Sequence, residues 1–196
     1  MIAKRIIPLF LLRGDRLVKG TRFKNHIDVG DPISQAMIYD AQGADEIIIL
    51  DIDATSQGRT INTSIISEII RKCRLPIAAG GGIKSIADAR KCFHAGADKI
   101  IVNTQAVLNP SLIRVLADEF GSQSVVVAMD LLRTQKGKYD IYVRCGTQKV
   151  KDSFEQILSQ VIKCGAGEIV ITAIQQEGTL GGFDIDLYKK LRAIIP

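Results

Sequence analysis

The chain predicts a parallel β/α barrel, and three observations carry that reading. Short β-branched runs alternate with longer amphipathic stretches, the order that makes a parallel sheet covered by helices. A near-copy recurs at every second unit: Gly43-Ala44-Asp45-Glu46-Ile47, Gly96-Ala97-Asp98-Lys99-Ile100 and Gly165-Ala166-Gly167-Glu168-Ile169. A period of two units suits a barrel, where alternate strands supply alternate interior layers, and has no counterpart in a doubly wound sheet. Finally, 196 residues support one sizeable core instead of several small domains.

Strands are expected over Arg5–Phe10, Glu46–Leu50, Pro76–Ala79, Lys99–Asn103, Ser124–Asp130 and Glu168–Thr172. Helical patterns lie between and after them, near Ile33–Gln42, Ser64–Cys73, Ile86–Ala95, Ser111–Phe120, Ser153–Cys164 and Asp186–Ala193. Asp31-Pro32 and Asn109-Pro110 each place a capping residue before a proline, a helix-start signal. Six β-then-α units result.

Composition narrows the classes. With 46% apolar and 24% charged residues the chain reads as an ordinary soluble globular domain. It lacks an apolar run long enough to span a membrane. Met1–Pro8 is too short an apolar stretch for a secretory signal. Cys73, Cys92, Cys145 and Cys164 have no zinc-site spacing, so they read as reduced cytoplasmic thiols, packing residues without a nucleophile signature. No metal or cofactor is implied. The net charge of +5 is spread along the chain. Its densest patch, Arg13, Arg16, Lys19, Arg22 and Lys24, is either a solvated loop or an anion-binding loop closed by Gly14 and Gly20. Few aromatics lie among these cations and there is no Trp, which argues against nucleic acid.

Strand parity gives the first candidate site. Residues i, i+2 and i+4 share a face, which aligns Arg5 with Ile7, Leu9 and Leu11. It likewise aligns Glu46 with Ile48 and Leu50, Lys99 with Ile101 and Asn103, and Glu168 with Val170 and Thr172. Turned inward, Arg5, Glu46, Lys99 and Glu168 form a ring at the N-terminal mouth, either a structural ion-pair ring or a polar gate for something small.

Chemistry in such barrels sits at the C-terminal strand ends. Asp51 and Asp53 end strand two, Asn103 and Thr104 end strand four, Asp130 ends strand five, Thr172 ends strand six, and Glu177 follows. Asp130 closes the apolar run Val125–Met129 and is either a cap or a general acid–base. Ala79-Gly80-Gly81-Gly82-Ile83-Lys84-Ser85 offers amides at a helix start, suited to phosphate; a tight turn alone would not demand three glycines. His94 reads as structural, and His26 has no evident carboxylate partner.

On these segments the chain resembles the cyclase subunit of imidazole glycerol phosphate synthase, a (βα)8 or TIM barrel. The matching stretches include Ala3-Lys4-Arg5-Ile6-Ile7-Pro8, Val18-Lys19-Gly20, Gly30-Asp31-Pro32, Leu50-Asp51-Ile52, Gly80-Gly81-Gly82-Ile83, Val102-Asn103-Thr104, Phe120-Gly121-Ser122-Gln123, Val127-Ala128-Met129-Asp130 and Gly178-Thr179. The sister isomerase shares the strand-two ending and the glycine turn, but the Ala-Lys-Arg start and the Phe-Gly-Ser-Gln block favour the cyclase side. The resemblance implies a glutaminase partner at the N-terminal mouth, with ammonia passing through a gate of Arg5, Glu46, Lys99 and Glu168. It implies one of two phosphate sites at Gly81, Gly82, Asn103 and Thr104, a mobile first loop carrying Lys19, and a catalytic role for Asp130.

The second catalytic aspartate of that family is absent: Leu11 stands at its position. Glu177 replaces another acidic loop residue with its charge kept, and Asp51 becomes a possible stand-in acid. Leucine cannot exchange a proton, so the two-acid mechanism is broken. This combination resembles a paralogous branch in which such a barrel and a glutaminase supply ammonia to a separate amidotransferase that makes acetamidino sugars for surface polysaccharide. Authentic cyclisation in histidine biosynthesis, forming imidazole glycerol phosphate and AICAR, is the alternative. A third possibility is a non-catalytic scaffold that activates the glutaminase.

Length enters last. The chain falls just under the floor of about 200 residues usual for eight units, and six units are accounted for. The expectation is therefore an incomplete barrel over 1–196, without units seven and eight or the second phosphate site, and with strands one and six as edges.

Overall fold

The computed structural model describes residues 4–195. Met1–Ala3, read above for a leader and for the start of the resemblance, and Pro196 lie outside the described residues.

Six strands form the parallel frame: β1 (Leu9–Arg13), β4 (Ile47–Asp51), β5 (Ile77–Gly80), β6 (Lys99–Val102), β7 (Val125–Arg133) and β10 (Glu168–Ala173). They pair in that order, β1 with β4, β4 with β5, β5 with β6, β6 with β7 and β7 with β10. Helices α1 (Pro32–Ala41), α2 (Thr63–Lys72), α3 (Ile86–His94), α5 (Ser111–Phe120), α6 (Phe154–Lys163) and α7 (Ile185–Arg192) match the expected helical stretches to within a residue or two. A short α4 (Thr104–Leu108) follows β6 directly. Asp31 caps α1 through its bond from Ser34 N, with Pro32 at the first position, as the sequence signal requires. The second such signal fails in detail: α5 has Pro110 itself at the cap position and no side-chain cap.

Two expectations are corrected. The first strand begins at Leu9, not Arg5, because Pro8 has no N–H to donate into the ladder. Pro8 still accepts from Ile48 N at 2.9 Å. The basic segment after it is not a loop. It forms β2 (Arg16–Thr21) and β3 (Lys24–Gly30), antiparallel to β1 and to each other. Gly14-Asp15 makes the two-residue turn between β1 and β2, with Arg13 opposite Arg16. Arg22 and Phe23 make the next, both at positive φ (53° and 61°), the geometry a type I′ turn demands. A second antiparallel extension follows β7: β8 (Tyr139–Val143) and β9 (Gln148–Lys149).

The pleat sorts the core into two bodies. Outward residues of the frame, such as Ile47, Ile49, Ile77, Ile100, Val125 and Val127, pack against the helices. Inward residues Ile48, Ala78, Ile101, Val126 and Ala128, with Ile7, Leu50 and Val170, form a separate apolar interior. This interior lies between the charged ring at one end and the strand C-termini at the other.

Candidate functional site

At the N-terminal end the four charges found by parity meet as an alternating ring. One oxygen of Glu46 accepts from Arg5 Nη1 at 2.8 Å and from Lys99 Nζ at 2.8 Å; one oxygen of Glu168 accepts from Arg5 Nη2 at 3.0 Å and Lys99 Nζ at 2.9 Å. Glu46 is buried and Lys99 nearly so, whereas Arg5 is half-exposed. The two cations hold the Glu168 carboxyl below its ordinary range against the opposing effect of burial. Similarly, the two carboxylates raise the Lys99 ammonium despite its desolvation.

At the opposite end lies a cavity of about 260 Å³. Both walls are mixed. On the β1–β4 side stand Leu9, Leu11 and Leu50 with Asp51 and Arg59; on the β6–β7–β10 side stand Asn103, Asp130 and Thr172 with Ile101, Ala128 and Val170. Asp130 is 9% exposed. Its Oδ2 accepts from Asn103 Nδ2 at 3.0 Å, and Thr172 is its register partner on β10. Burial pushes the Asp130 carboxyl up to about 6, against the opposite pull of Asn103 and Thr172.

The remaining expected site residues divide. Asp51 has a fully buried side chain, paired with Arg59, and its Oδ1 accepts from Asp53 N at 3.1 Å and Ala54 N at 3.0 Å. It shares the parity of Ile47 and Ile49 but, at the end of β4, lines the cavity, with its carboxylate held by the loop that follows. Gly81 and Gly82 are at positive φ (130° and 67°). A Cβ on Gly82 would fall 1.9 Å from Arg59 O, and one on Gly81 2.8 Å from Asp51. Close packing against the β4 loop thus accounts for both glycines, while they still face the cavity. Thr104 lines it too, its Oγ1 accepting from Arg144 N at 3.2 Å. Glu177 is on the wall, and its Oε2 accepts from Phe23 N at 2.9 Å, so it holds the β2–β3 tip. Lys19, on β2 opposite Ile27, is exposed and does not line the cavity.

Arg59, Phe23, His26, Arg144 and Cys145 line the cavity and were not expected there. The two hairpins bring most of them. Cys145 Sγ donates to Ile52 O at 3.0 Å, which carries the β8–β9 tip across to the β4 side. Its thiol is pushed up to about 11 by burial and by facing Asp130 and Asp53, so it is no thiolate nucleophile at neutral pH. Among the described residues no group of three or more His, Cys, Asp or Glu is placed to hold a metal ion. No helix among them is long and apolar enough to cross a membrane.

A parallel β/α frame, a cavity at its strand C-termini and a buried carboxyl within it define a barrel of the TIM type, with the site where that fold builds its chemistry. Comparison with known proteins narrows the class. Residues 5–196 match the family model described as histidine biosynthesis protein, and the chain belongs to that family. It is 41% identical over 191 residues to the imidazole glycerol phosphate synthase subunit HisF of Alkaliphilus metalliredigens, covering 97% of this chain and 76% of that one. It is 43% identical over 187 residues to the HisF subunit of Dictyoglomus turgidum, covering 95% of this chain and 74% of that one.

Proposed function

We propose that this chain is a synthase or cyclase-type subunit that receives ammonia from a glutaminase bound at its N-terminal face and adds it to a phosphorylated ligand held at the strand C-termini. The observation that carries the reading is the pairing of the charged ring and the Asp130 cavity at opposite ends of one apolar interior. An apolar lining between two polar ends favours a small neutral molecule over its charged form, since transfer of an ion into it is costly. Names of relatives favour imidazole glycerol phosphate as product.

In this mechanism Asp130 is the proton-transfer residue. A carboxyl that titrates near 6 is mostly ionised at neutral pH and still a competent acid, the balance general acid–base catalysis requires. It accepts a proton as ammonia adds and returns one in a later step. Asn103 and Thr172 fix its orientation. Gly81, Gly82, Asn103 and Thr104 then receive one phosphate, and Lys19 reaches the ligand only if the β2–β3 hairpin moves.

Leu11 supports a second reading. It stands in the cavity wall beside Leu9 and Leu50, where it can neither take nor give a proton. Delivery of ammonia to a separate amidotransferase for an acetamidino sugar needs the ring and the interior but no acid pair.

One experiment separates the readings. The protein is mixed with a glutaminase subunit, ammonium and the bis-phosphorylated ribulosyl intermediate, and imidazole product is measured for the unaltered chain and for Leu11→Asp. Product from the unaltered chain supports the cyclase and sinks the conduit. Product only from Leu11→Asp supports the conduit. Glutaminase stimulation that survives Lys99→Met and Glu168→Gln points instead to a scaffold.

A further inference from the structure

The tip of the β8–β9 hairpin is built in an unusual way. Arg144, Cys145 and Gly146 are three consecutive residues at positive φ (54°, 55° and 76°), a region unfavourable for residues that carry a Cβ. Three bonds anchor the tip. Arg144 N donates to Thr104 Oγ1 at 3.2 Å, and Arg144 O accepts from Thr147 Oγ1 at 2.7 Å. Cys145 Sγ donates to Ile52 O. The Arg144 guanidinium is what remains, and it lines the cavity.

Among the described residues no ion pair cancels the charge of that guanidinium. Of the cavity's carboxylates, Asp51 is ion-paired with Arg59, while Asp130 and Glu177 accept from the neutral donors Asn103 Nδ2 and Phe23 N. Lys84, which follows the glycine turn at the end of β5, also lines the cavity. Among the described residues neither Lys84 nor Arg144 takes part in an ion pair. Thr104, which follows β6, anchors the Arg144 backbone and lines the same cavity as both cations. Two cations without an ion-pair partner in one cavity fit a dianionic group, and the planar fork of an arginine fits the oxygens of a phosphoryl group in particular.

We propose that Arg144, with Lys84, binds the phosphoryl group of the ligand, and that the strained β8–β9 tip exists to hold this arginine over the cavity. The inference rests on the reading that the cavity takes a phosphorylated ligand, and adds a residue that selects for the phosphate. It also makes the tip a ligand-coupled element: an anion held by Arg144 ties the hairpin to the ends of β5 and β6.

The test is calorimetric titration of the full chain with inorganic phosphate at low ionic strength, with acetate as a monoanionic control. The unaltered chain is expected to bind phosphate more tightly than acetate. Arg144→Gln is expected to weaken phosphate at least tenfold, Lys84→Gln to weaken it severalfold, and Arg144→Lys to fall between. Arg144→Asn serves as a second variant, since asparagine tolerates the left-handed backbone. Lys149→Gln, on the same hairpin but paired with Asp140, is expected to leave affinity unchanged. Phosphate affinity kept within twofold in both Arg144→Gln and Arg144→Asn, together with a loss in Thr104→Val, overturns the role of Arg144 and leaves the phosphate reading standing. Absence of phosphate binding by the unaltered chain overturns both.

Discussion

Replacing Asp130 with asparagine is expected to stabilise the protein, and by an amount that depends on pH. The carboxyl titrates near 6 where its ordinary value is 3.8. Folding therefore raises its affinity for a proton, and between pH 4 and 6 the native state binds more protons than the unfolded state. Stability falls as pH rises through that window and is flat above it, the reverse of a salt-bridged carboxylate. At pH 7 and above the penalty is about 3 kcal/mol, at pH 5 about half of that, and at pH 4 under about 1 kcal/mol. Asp130→Asn keeps an oxygen for Asn103 Nδ2 and carries no charge, so it removes this penalty. Urea unfolding of both proteins from pH 4 to 8 measures it: the advantage of the variant should grow over this range and level off near pH 7. A difference that does not change with pH, or a variant less stable at pH 7, refutes the argument. Catalytic turnover, if the cyclase reading holds, should vanish in the same variant.

Other perturbations follow the same logic. Arg59→Ala strands the fully buried Asp51 carboxylate and should cost about 3–5 kcal/mol by denaturant titration. Arg16→Ala, which breaks a solvent-exposed pair with Asp28, should leave the denaturation midpoint nearly unchanged, since water and salt screen such pairs. In the ring, Lys99→Met leaves Glu46 with Arg5 alone and should destabilise by about 2–4 kcal/mol, with Lys99→Met and Glu46→Leu together costing less than the sum of the two. A double-mutant cycle that shows no coupling would mean that the ring is electrostatically idle. Gly82→Ala should be far more damaging than Gly14→Ala: both glycines have positive φ, but only the first would drive a Cβ into a backbone carbonyl. Equal melting temperatures for the two variants would contradict the packing account.

Much of the frame was legible because it rests on periodicity. Glu46, Ile48 and Leu50, with Lys99, Ile101 and Asn103, declared the inward face of two strands by spacing alone, and the ring of four charges followed from it. The same parity sets Asp51 apart from the inward row of β4, and its carboxylate is held by Arg59 in the cavity lining. What the pattern could not reveal lies in the hairpins. Arg22-Phe23 and Arg144-Cys145 turn through positive φ without a glycine at those positions, so the usual turn signals are missing there. Because these tips deliver Phe23, Arg144 and Cys145 to the cavity, half of its roof was hidden with them. Pro8 moved the first strand for a local reason, its missing N–H, that composition of the run did not outweigh.

The two-sided pleat has a consequence for how this protein can change. Along each strand of the frame, one residue meets helices and the next meets the interior, so neighbouring letters answer to different constraints. Val125, Val127 and Met129 answer to packing against the helices, while Val126, Ala128 and Asp130 line the interior and the cavity. A deep substitution scan read for abundance should show dips at one parity, and the same scan read for activity should show extra dips at the other. The two signals are expected to interleave with a period of two and to diverge most at Asp130, whose burial raises its carboxyl. In such an architecture the interior can change, at a position such as Leu11, with the outward-facing core left as it is.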